Sequence, residues 1–230
     1  MATSELRAVV FDMDGLLADT EPLSYRAWTA LIARDYGVTP TQEDAAWATA
    51  TVGKHWPEVW RMIADRFQLP VELPRDLARL NDAYREIYSN VLAQGVPALP
   101  GAVELVAHCH AAGLLVGLAS SSSPGQIDQV LRGIGIRDQF AAIASGSEVP
   151  RSKPDPAIYL LACERLGVAP RAAVALEDSG PGIAAAHAAG LRSLAIPSDY
   201  TAAHDFSLAS AIRPSLVGLT VADLAALPWR

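Results

Sequence analysis

Short apolar runs that alternate with helix-like segments constrain the fold of this chain more than any other feature. The first run, LRAVVF over residues 6–11, is rich in β-branched residues and ends directly before Asp12. Four similar runs follow, over residues 114–119, 140–144, 172–176 and 193–196. Continuous apolar runs of this length are typical of strands that are buried on both faces. Strands that alternate with helices predict an α/β fold with a doubly wound parallel sheet.

Helix signals fill the segments between these runs. Ser123 followed by Pro124 predicts an N-cap and a first helical residue, because serine caps helix N-termini and proline fits the first turn. Asp155 and Pro156 repeat that pair and predict a second helix. Further helices are expected over residues 101–112 and 181–189, and Gly190 would close the latter.

One long segment interrupts the alternation. Residues 18–96 contain no convincing strand, but apolar residues recur in them at helical spacing. Thr41 and Asp44 have the spacing of a capping box, which marks a helix start. We therefore expect a helical domain over residues 18–96, inserted after the first strand. Residues 1–17 and 97–230 would together form the α/β core.

Composition limits the classes of partner. The chain has 230 residues, a net charge of −7 and a hydrophobic fraction of 51%. Such an acidic chain lacks the clustered lysines and arginines that bind nucleic acid or an anionic membrane surface, so neither partner is expected. The sequence shows no signal peptide and no apolar stretch of about 20 residues. Cytoplasmic location is the resulting expectation; the sequence does not indicate an oligomeric state, and a monomer is the default expectation.

The two cysteines also favour a cytoplasmic location. Cys109 and Cys163 do not have the spacing of a zinc site. We interpret them as buried free thiols, and such low cysteine usage fits a reducing compartment.

Polar residues collect at the ends of the predicted strands, where open parallel sheets bind their ligands. They are Asp12 and Asp14 after the first run, Ser120 after the second, Lys153 beyond the third, and Glu177 and Asp178 after the fourth. Converging carboxylates repel one another, by about 4 kcal/mol for two charges 4 Å apart at an effective dielectric of 20. A hard divalent cation relieves that repulsion, and oxygen ligands suit Mg²⁺. The sequence therefore predicts a magnesium site equipped for phosphoryl transfer.

Each of these residues also has an ordinary structural interpretation. A single aspartate after a strand is usually a turn or cap residue, a serine-rich stretch is usually a loop, and a lone lysine is usually solvated. The ordered combination at successive strand ends is what favours a catalytic site. A non-catalytic binding module is the alternative from another functional class.

The same residues resemble the four motifs of the haloacid dehalogenase superfamily. Residues 11–21, FDMDGLLADTE, resemble the first motif. Ser120 matches the second motif, Lys153 in SKPDP matches the third, and Glu177-Asp178 in LEDSGPGI matches the fourth. The resemblance covers essentially the whole chain, since the helical insert matches the small cap that follows motif one. It implies a Rossmann-like core sheet with an inserted α-helical cap domain.

The resemblance implies a phosphoryl-transfer mechanism. Asp12 would attack phosphorus and form an aspartyl-phosphate, which divides the reaction into two steps. Asp14 would protonate the leaving alcohol and then deprotonate the attacking water. Ser120 and the backbone N–H of Ser121 would bind the phosphoryl group. Lys153 would neutralise the nucleophile and the developing charge.

The resemblance also implies a metal site. Asp12, the backbone carbonyl of Asp14, and Asp178 would hold Mg²⁺, with Glu177 acting directly or through water. Backbone amides from Met13 to Gly15 could form an anion-binding nest beside it.

Substrate choice is assigned by the resemblance to the cap, which would close over the active site and exclude water. The expected substrate contacts are Thr20, Gly53, Lys54, His55 and Trp56. The alternative for the 53–56 stretch is an ordinary surface loop.

The function implied is a Mg²⁺-dependent phosphatase acting on a small phosphorylated metabolite, with a sugar phosphate expected. The alternative is phosphate transfer on a hexose phosphate, as in β-phosphoglucomutases. Those mutases carry a cap histidine four residues after the threonine of the DTxE sequence, and this chain has Ser24 there. They also carry an arginine in the loop that corresponds to residues 53–56, where this chain has none. Hydrolysis is therefore predicted over transfer.

Overall fold

A six-stranded parallel sheet is the centre of the computed structural model, which describes residues 5–54 and 56–229. Its strands are β1 (Ala8–Phe11), β2 (Leu115–Ser120), β3 (Ala142–Ser145), β4 (Ala173–Glu177), β5 (Arg192–Ala195) and β6 (Ala211–Ile212). The strand order is β3-β2-β1-β4-β5-β6, and every pairing is parallel. The predicted doubly wound α/β sheet is confirmed. Its order changes direction around β1, which is where such sheets form a ligand crevice.

Four helices of the core were expected in the described part of the chain, and the short one nearest the C-terminus was not. They are α5 (Ala102–Ala111), α6 (Pro124–Gly133), α7 (Ala157–Leu166), α8 (Gly180–Ala188) and the short α9 (Val221–Ala225). Ser123 is the N-cap of α6, and Gln126 accepts a hydrogen bond from the Ser123 backbone N–H at 3.0 Å. Gly190 lies just beyond α8 with φ of +82°, a conformation that glycine adopts without strain.

Two local predictions, an N-cap and a strand boundary, were wrong. Asp155 is not the N-cap of α7, because Pro156 holds that position; the Asp155 carboxylate instead accepts from the Ala157 backbone N–H at 3.0 Å. The strand predicted over residues 193–196 begins one residue earlier in the structure, at the buried Arg192. The Nη1 of Arg192 donates to the carbonyls of Ala225 at 2.9 Å and Leu227 at 3.1 Å, whereas Nε and Nη2 are buried with no hydrogen-bond partner among the described residues, so these bonds offset only part of the cost of burial.

The remaining helices belong to a second compact unit, Thr20–Gly95, whereas the first unit comprises the residues up to Asp19 and from Val96 onward. These helices are α1 (Glu21–Tyr36), α2 (Gln42–Ala48), α3 (Trp56–Phe67) and α4 (Leu77–Leu92). The capping box at the start of α2 is present: the Thr41 N–H donates to the Asp44 carboxylate at 2.8 Å. None of the helices in the described ranges is both long and apolar enough to cross a membrane.

The chain leaves the core and returns to it along two neighbouring stretches of backbone. Ala18 and Ala98 form an antiparallel bridge. On either side of it, the Asp19 N–H donates to the Pro97 carbonyl at 3.0 Å, and the Leu99 N–H donates to the Leu17 carbonyl at 2.9 Å. The insert therefore begins and ends at one place on the core.

Candidate active site

Lys153 joins three strand ends at the carboxyl edge of the sheet. Its ammonium donates to Asp12 Oδ1 at 2.6 Å, to the Ala119 carbonyl at 2.9 Å and to Glu177 Oε1 at 2.5 Å. Asp12 directly follows β1, Ala119 lies in β2 and Glu177 ends β4. The lysine is itself 8% exposed. Four distant chain segments therefore meet here because parallel strands end on the same edge.

A buried acidic cluster surrounds the lysine. Oxygen atoms of Asp12, Glu177 and Asp178 lie within 4.8 Å of one another. The three residues are 6%, 0% and 5% exposed. Asp14 lies close enough for its charge to act on Asp12, so carboxylates outnumber the Lys153 ammonium around this residue. Oxygen-only ligands in such a site suit a hard divalent cation.

The pKa of Asp12 is shifted by its burial and by the charges around it. Burial raises the pKa of Asp12 well above its ordinary range; Lys153 opposes the rise, and the charges of Glu177 and Asp14 add to it. Burial also opposes the charge of Lys153, but Asp12 and Glu177 outweigh that effect and raise the pKa of the lysine. Lys153 is therefore a permanent cation, and a second positive charge would favour the ionised form of Asp12.

Both oxygens of Glu177 are already engaged. Oε1 accepts from Lys153 and also from the Tyr159 hydroxyl at 2.7 Å. Oε2 accepts from the Ser179 hydroxyl at 2.9 Å and from the Ser179 backbone N–H at 3.3 Å. A carboxylate has about four acceptor positions, so these bonds fill them. Glu177 is thus hydrogen-bonded within the protein and also belongs to the acidic cluster that could hold a metal, so its expected role towards the metal, direct or through water, stays a prediction.

Two glycines make the cluster sterically possible. Gly15 has φ of +78°, and a Cβ there would lie 2.5 Å from Asp178 Oδ2. A Cβ at Gly182 would lie 1.9 Å from Glu177 Cδ. Gly15 was a predicted site residue, whereas Gly182 was missed. Its position in the GPG sequence after Glu177-Asp178 is the signal that could have found it.

Ser120 and Ser122 hold Asp14. The Ser120 hydroxyl donates to Asp14 Oδ2 at 3.2 Å, and the Ser122 hydroxyl donates to the same oxygen at 2.9 Å. The Ser122 backbone N–H donates in turn to Ser120 Oγ at 3.1 Å. Ser122 was not among the predicted residues. Ser121, which was, has an exposed side chain.

The turn after β1 contains Met13 to Gly15, whose backbone amides were predicted to form an anion nest. Met13 is fully buried, and its carbonyl accepts from the Leu17 N–H at 2.9 Å. The Gly15 N–H donates to the Ala18 carbonyl at 3.0 Å. That bond withholds the Gly15 amide from an anion, so the glycine's clear contribution is the space it leaves for Asp178.

Other predicted contacts lie in the helical unit. Thr20 is 2% exposed and is the N-cap of α1. Gly53 has φ of +76°. Lys54 donates to Glu58 at 2.6 Å. The Trp56 ring centroid lies 4.2 Å from that of Tyr84. His55 lies outside the described residues.

Ser24, at the position of the mutase histidine, also has a partner within the helical unit. Its hydroxyl lies 2.9 Å from the Tyr84 hydroxyl.

Comparison with known proteins identifies the family. A model described as haloacid dehalogenase-like hydrolase matches residues 6–190. The chain is 36% identical to hexitol phosphatase B of Escherichia coli (strain K12), over 96% of this chain and 97% of that protein. It is 35% identical to protein CbbY of Rhodobacter capsulatus, over 97% of this chain and 100% of that protein.

A solved structure extends the comparison to three dimensions. A variant of CbbY from Rhodobacter sphaeroides, in complex with xylulose-(1,5)-bisphosphate, matches with a TM-score of 0.82 and 32% sequence identity. The match covers 95% of this chain and 99% of that chain. Sequence motifs, fold and relatives agree, and the chain belongs to the haloacid dehalogenase-like hydrolases as an enzyme of the phosphatase type.

Proposed function

We propose that this chain is a Mg²⁺-dependent phosphatase that hydrolyses a small sugar phosphate through an aspartyl-phosphate. The observation that carries the proposal is the buried pair of Asp12 and Lys153, 2.6 Å apart within a cluster of carboxylates. A buried carboxylate is costly unless it is paired, and here its partner leaves one oxygen available. Within the described residues, Lys153 is the side chain that donates to Asp12, and it does so at Oδ1.

The chemistry divides between Asp12 and Asp14. Asp12 Oδ2 attacks phosphorus, the P–O bond to the substrate alcohol breaks, and Asp14 donates a proton to the departing alkoxide oxygen. Asp14 then takes a proton from water, whose oxygen attacks the same phosphorus and releases phosphate from Asp12. Ser120 and Ser122 keep Asp14 in position through their hydrogen bonds to Oδ2. Lys153 balances the charge of Asp12 throughout.

The acidic cluster supports the metal. Asp12 and Asp178 would hold Mg²⁺ together with the Asp14 backbone carbonyl, and Glu177 would contribute from outside the ligand set because both its oxygens are bonded. When bound, Mg²⁺ supplies positive charge that draws the phosphoryl group and the carboxylate together.

The relatives support the substrate class. Hexitol phosphatase B and CbbY are similar over nearly the whole chain, and the CbbY structure is a complex with a sugar bisphosphate. Leaving-group choice is assigned to Thr20 and the 53–56 stretch of the helical unit. Hydrolysis is favoured over intramolecular transfer because Ser24 replaces the histidine of the mutases and bonds to Tyr84 instead. Two buried free cysteines agree with a cytoplasmic location.

The proposal is tested by phosphate release from a panel of sugar phosphates and p-nitrophenyl phosphate. We expect activity with Mg²⁺, loss of activity with a chelator, and recovery when Mg²⁺ is restored. Asp12→Asn should abolish turnover, because an amide is a very poor nucleophile towards phosphorus. Wild-type rates in Asp12→Asn would remove the nucleophile assignment. Isomerised product without phosphate release would favour transfer.

A further inference from the structure

Tyr159 reaches the active site, although the mechanism above gives it no role. It lies in α7 and is fully buried. Its hydroxyl donates to Glu177 Oε1 at 2.7 Å. Its ring centroid lies 5.3 Å from the Lys153 ammonium. One side chain therefore contacts both members of the Glu177–Lys153 ion pair.

The hydrogen bonds of Lys153 leave it no freedom. An ammonium has three N–H donors, and Lys153 uses them on Asp12, Ala119 and Glu177. The direction of the bond to Glu177 therefore fixes the direction of the other two. Any movement of the Glu177 carboxylate would be passed to the bond with Asp12.

Glu177 is fixed in turn by donors on both of its oxygens. Ser179 holds Oε2, while Oε1 is shared by Lys153 and Tyr159. Phenylalanine would fill nearly the same buried space as Tyr159, so the hydroxyl is what distinguishes the residue here. A buried hydroxyl is costly unless it is hydrogen-bonded. The Tyr159 hydroxyl donates to Glu177 Oε1, the same oxygen that accepts from Lys153.

We infer that Tyr159 is a positioning residue, which acts through Glu177 to keep the Lys153 ammonium on Oδ1 of Asp12 and so present Oδ2 for attack. The inference rests on the proposed function for its catalytic consequence. Its structural part concerns where the lysine is held, and that part can be measured without turnover.

The kinetic test uses Tyr159→Phe, with Tyr36→Phe as the matched control. The Tyr36 hydroxyl also bonds a charged group, Arg79, at 2.6 Å, but it lies on an exposed face of the helical unit. We expect Tyr159→Phe to lower kcat by about 10-fold to 100-fold, the range for one lost bond to a charged group, with KM nearly unchanged. Tyr36→Phe should leave both constants unchanged.

A double-mutant cycle tests whether Tyr159 acts through Glu177. In a Glu177→Gln background, Tyr159→Phe should cause little further loss of kcat, because the link it supports is already altered. Additive losses would overturn the route through Glu177.

The lysine content of the chain gives a readout that is independent of activity. Lys54 and Lys153 are its two lysines. With ¹⁵N in the lysine side chains, the spectrum therefore contains one exposed ammonium and one buried ammonium. We expect the Lys153 N–H signals of the wild type to exchange slowly with water, because all three protons are bonded. Tyr159→Phe should make that exchange faster and leave Lys54 unchanged.

The outcomes separate the two proposals. If the wild type releases no phosphate from any ester, the proposed function fails, and the Lys153 signals still decide where the ammonium is held. If Lys153 exchanges as fast as Lys54 in the wild type, the positioning role is overturned even should Tyr159→Phe not fold. An unchanged kcat together with an unchanged Lys153 signal in a folded Tyr159→Phe variant would also overturn it.

Discussion

The carboxylate of Glu177 lies directly against Gly182, at the place that any larger residue would fill with its Cβ. The hypothetical Cβ of residue 182 would be 1.9 Å from Glu177 Cδ and 2.0 Å from each of its oxygens. Gly182 belongs to α8, and its N–H donates to the Ser179 hydroxyl that in turn binds Glu177. The absence of a side chain at residue 182 is therefore what leaves room for the Glu177 carboxylate in the ion-pair network.

Gly182→Ala should displace Glu177 and disturb Lys153. We expect a loss of about 1–3 kcal/mol in the free energy of unfolding, the usual cost of overpacking, together with a fall in kcat. Gly125→Ala is the control, because Gly125 lies in α6 and has no heavy atom within 4 Å of the added Cβ. Urea unfolding and steady-state kinetics measure both effects. Equal stability of the two variants would contradict the packing argument.

Lys153→Met should be far more harmful than the same change at the other lysine. It leaves Asp12 and Glu177 buried without their cation, and removing one partner of a buried pair costs about 3–5 kcal/mol. Lys54→Met removes only a partly exposed ion pair between Lys54, which precedes α3, and Glu58 in α3, so stability should change little. Chemical denaturation of both variants checks the contrast, and a small loss in Lys153→Met would show that the cluster relaxes around the vacancy.

Asp12→Asn should stabilise the metal-free protein at neutral pH, because Lys153 keeps Glu177 as its buried counter-ion in this variant. Because burial raises the pKa of Asp12 in the folded state, ionising this residue opposes folding. The protonated form of Asp12 contributes fully to the free energy of unfolding at pH values below the pKa of this residue in the unfolded chain. That contribution is lost as the pH rises through the raised pKa of the folded state. The melting temperature of Asp12→Asn in chelator should therefore exceed that of the wild type near pH 8, and the gap should narrow toward pH 4. Mg²⁺ should raise the melting temperature of the wild type selectively.

Ser122→Ala should lower kcat by about tenfold, because it removes one of two hydroxyls that hold Asp14 and one such bond is worth roughly 1–2 kcal/mol. Ser121→Ala is the neighbouring control. Its predicted role uses the backbone N–H, which the substitution keeps, and its side chain is exposed. Steady-state kinetics on p-nitrophenyl phosphate distinguishes the two, and equal losses would show that the loop as a whole, not the Asp14 contact, is sensitive.

Sequence patterns were most informative where the physics is local. The apolar run before Asp12 and the N-cap at Ser123 are encoded within a few residues, and both are confirmed. The meeting of Asp12 with Lys153 also followed, since parallel strands end on one edge. β6 was missed because its two residues, Ala211 and Ile212, are too few to show a pattern.

Residues whose role depends on tertiary packing could not be found in this way. Tyr159 looks like an ordinary apolar position of α7 until its hydroxyl is seen beside Glu177, 18 residues later in the chain. Arg192 contradicts the pattern of a buried strand, and its hydrogen bonds to the carbonyls of Ala225 and Leu227, which come more than 30 residues later in the chain, could not be read from that pattern.

The bridge between Ala18 and Ala98 bears on how the helical unit can be altered during evolution. The two backbone segments that it joins run antiparallel, so a tight turn could connect them and leave the order of the core sheet intact. The segment Thr20–Gly95 can therefore be treated as one insertion in the gene. It can be lengthened, exchanged or removed by a single event at one point of the core, without altering the register of any strand that carries Asp12, Ser120 or Glu177.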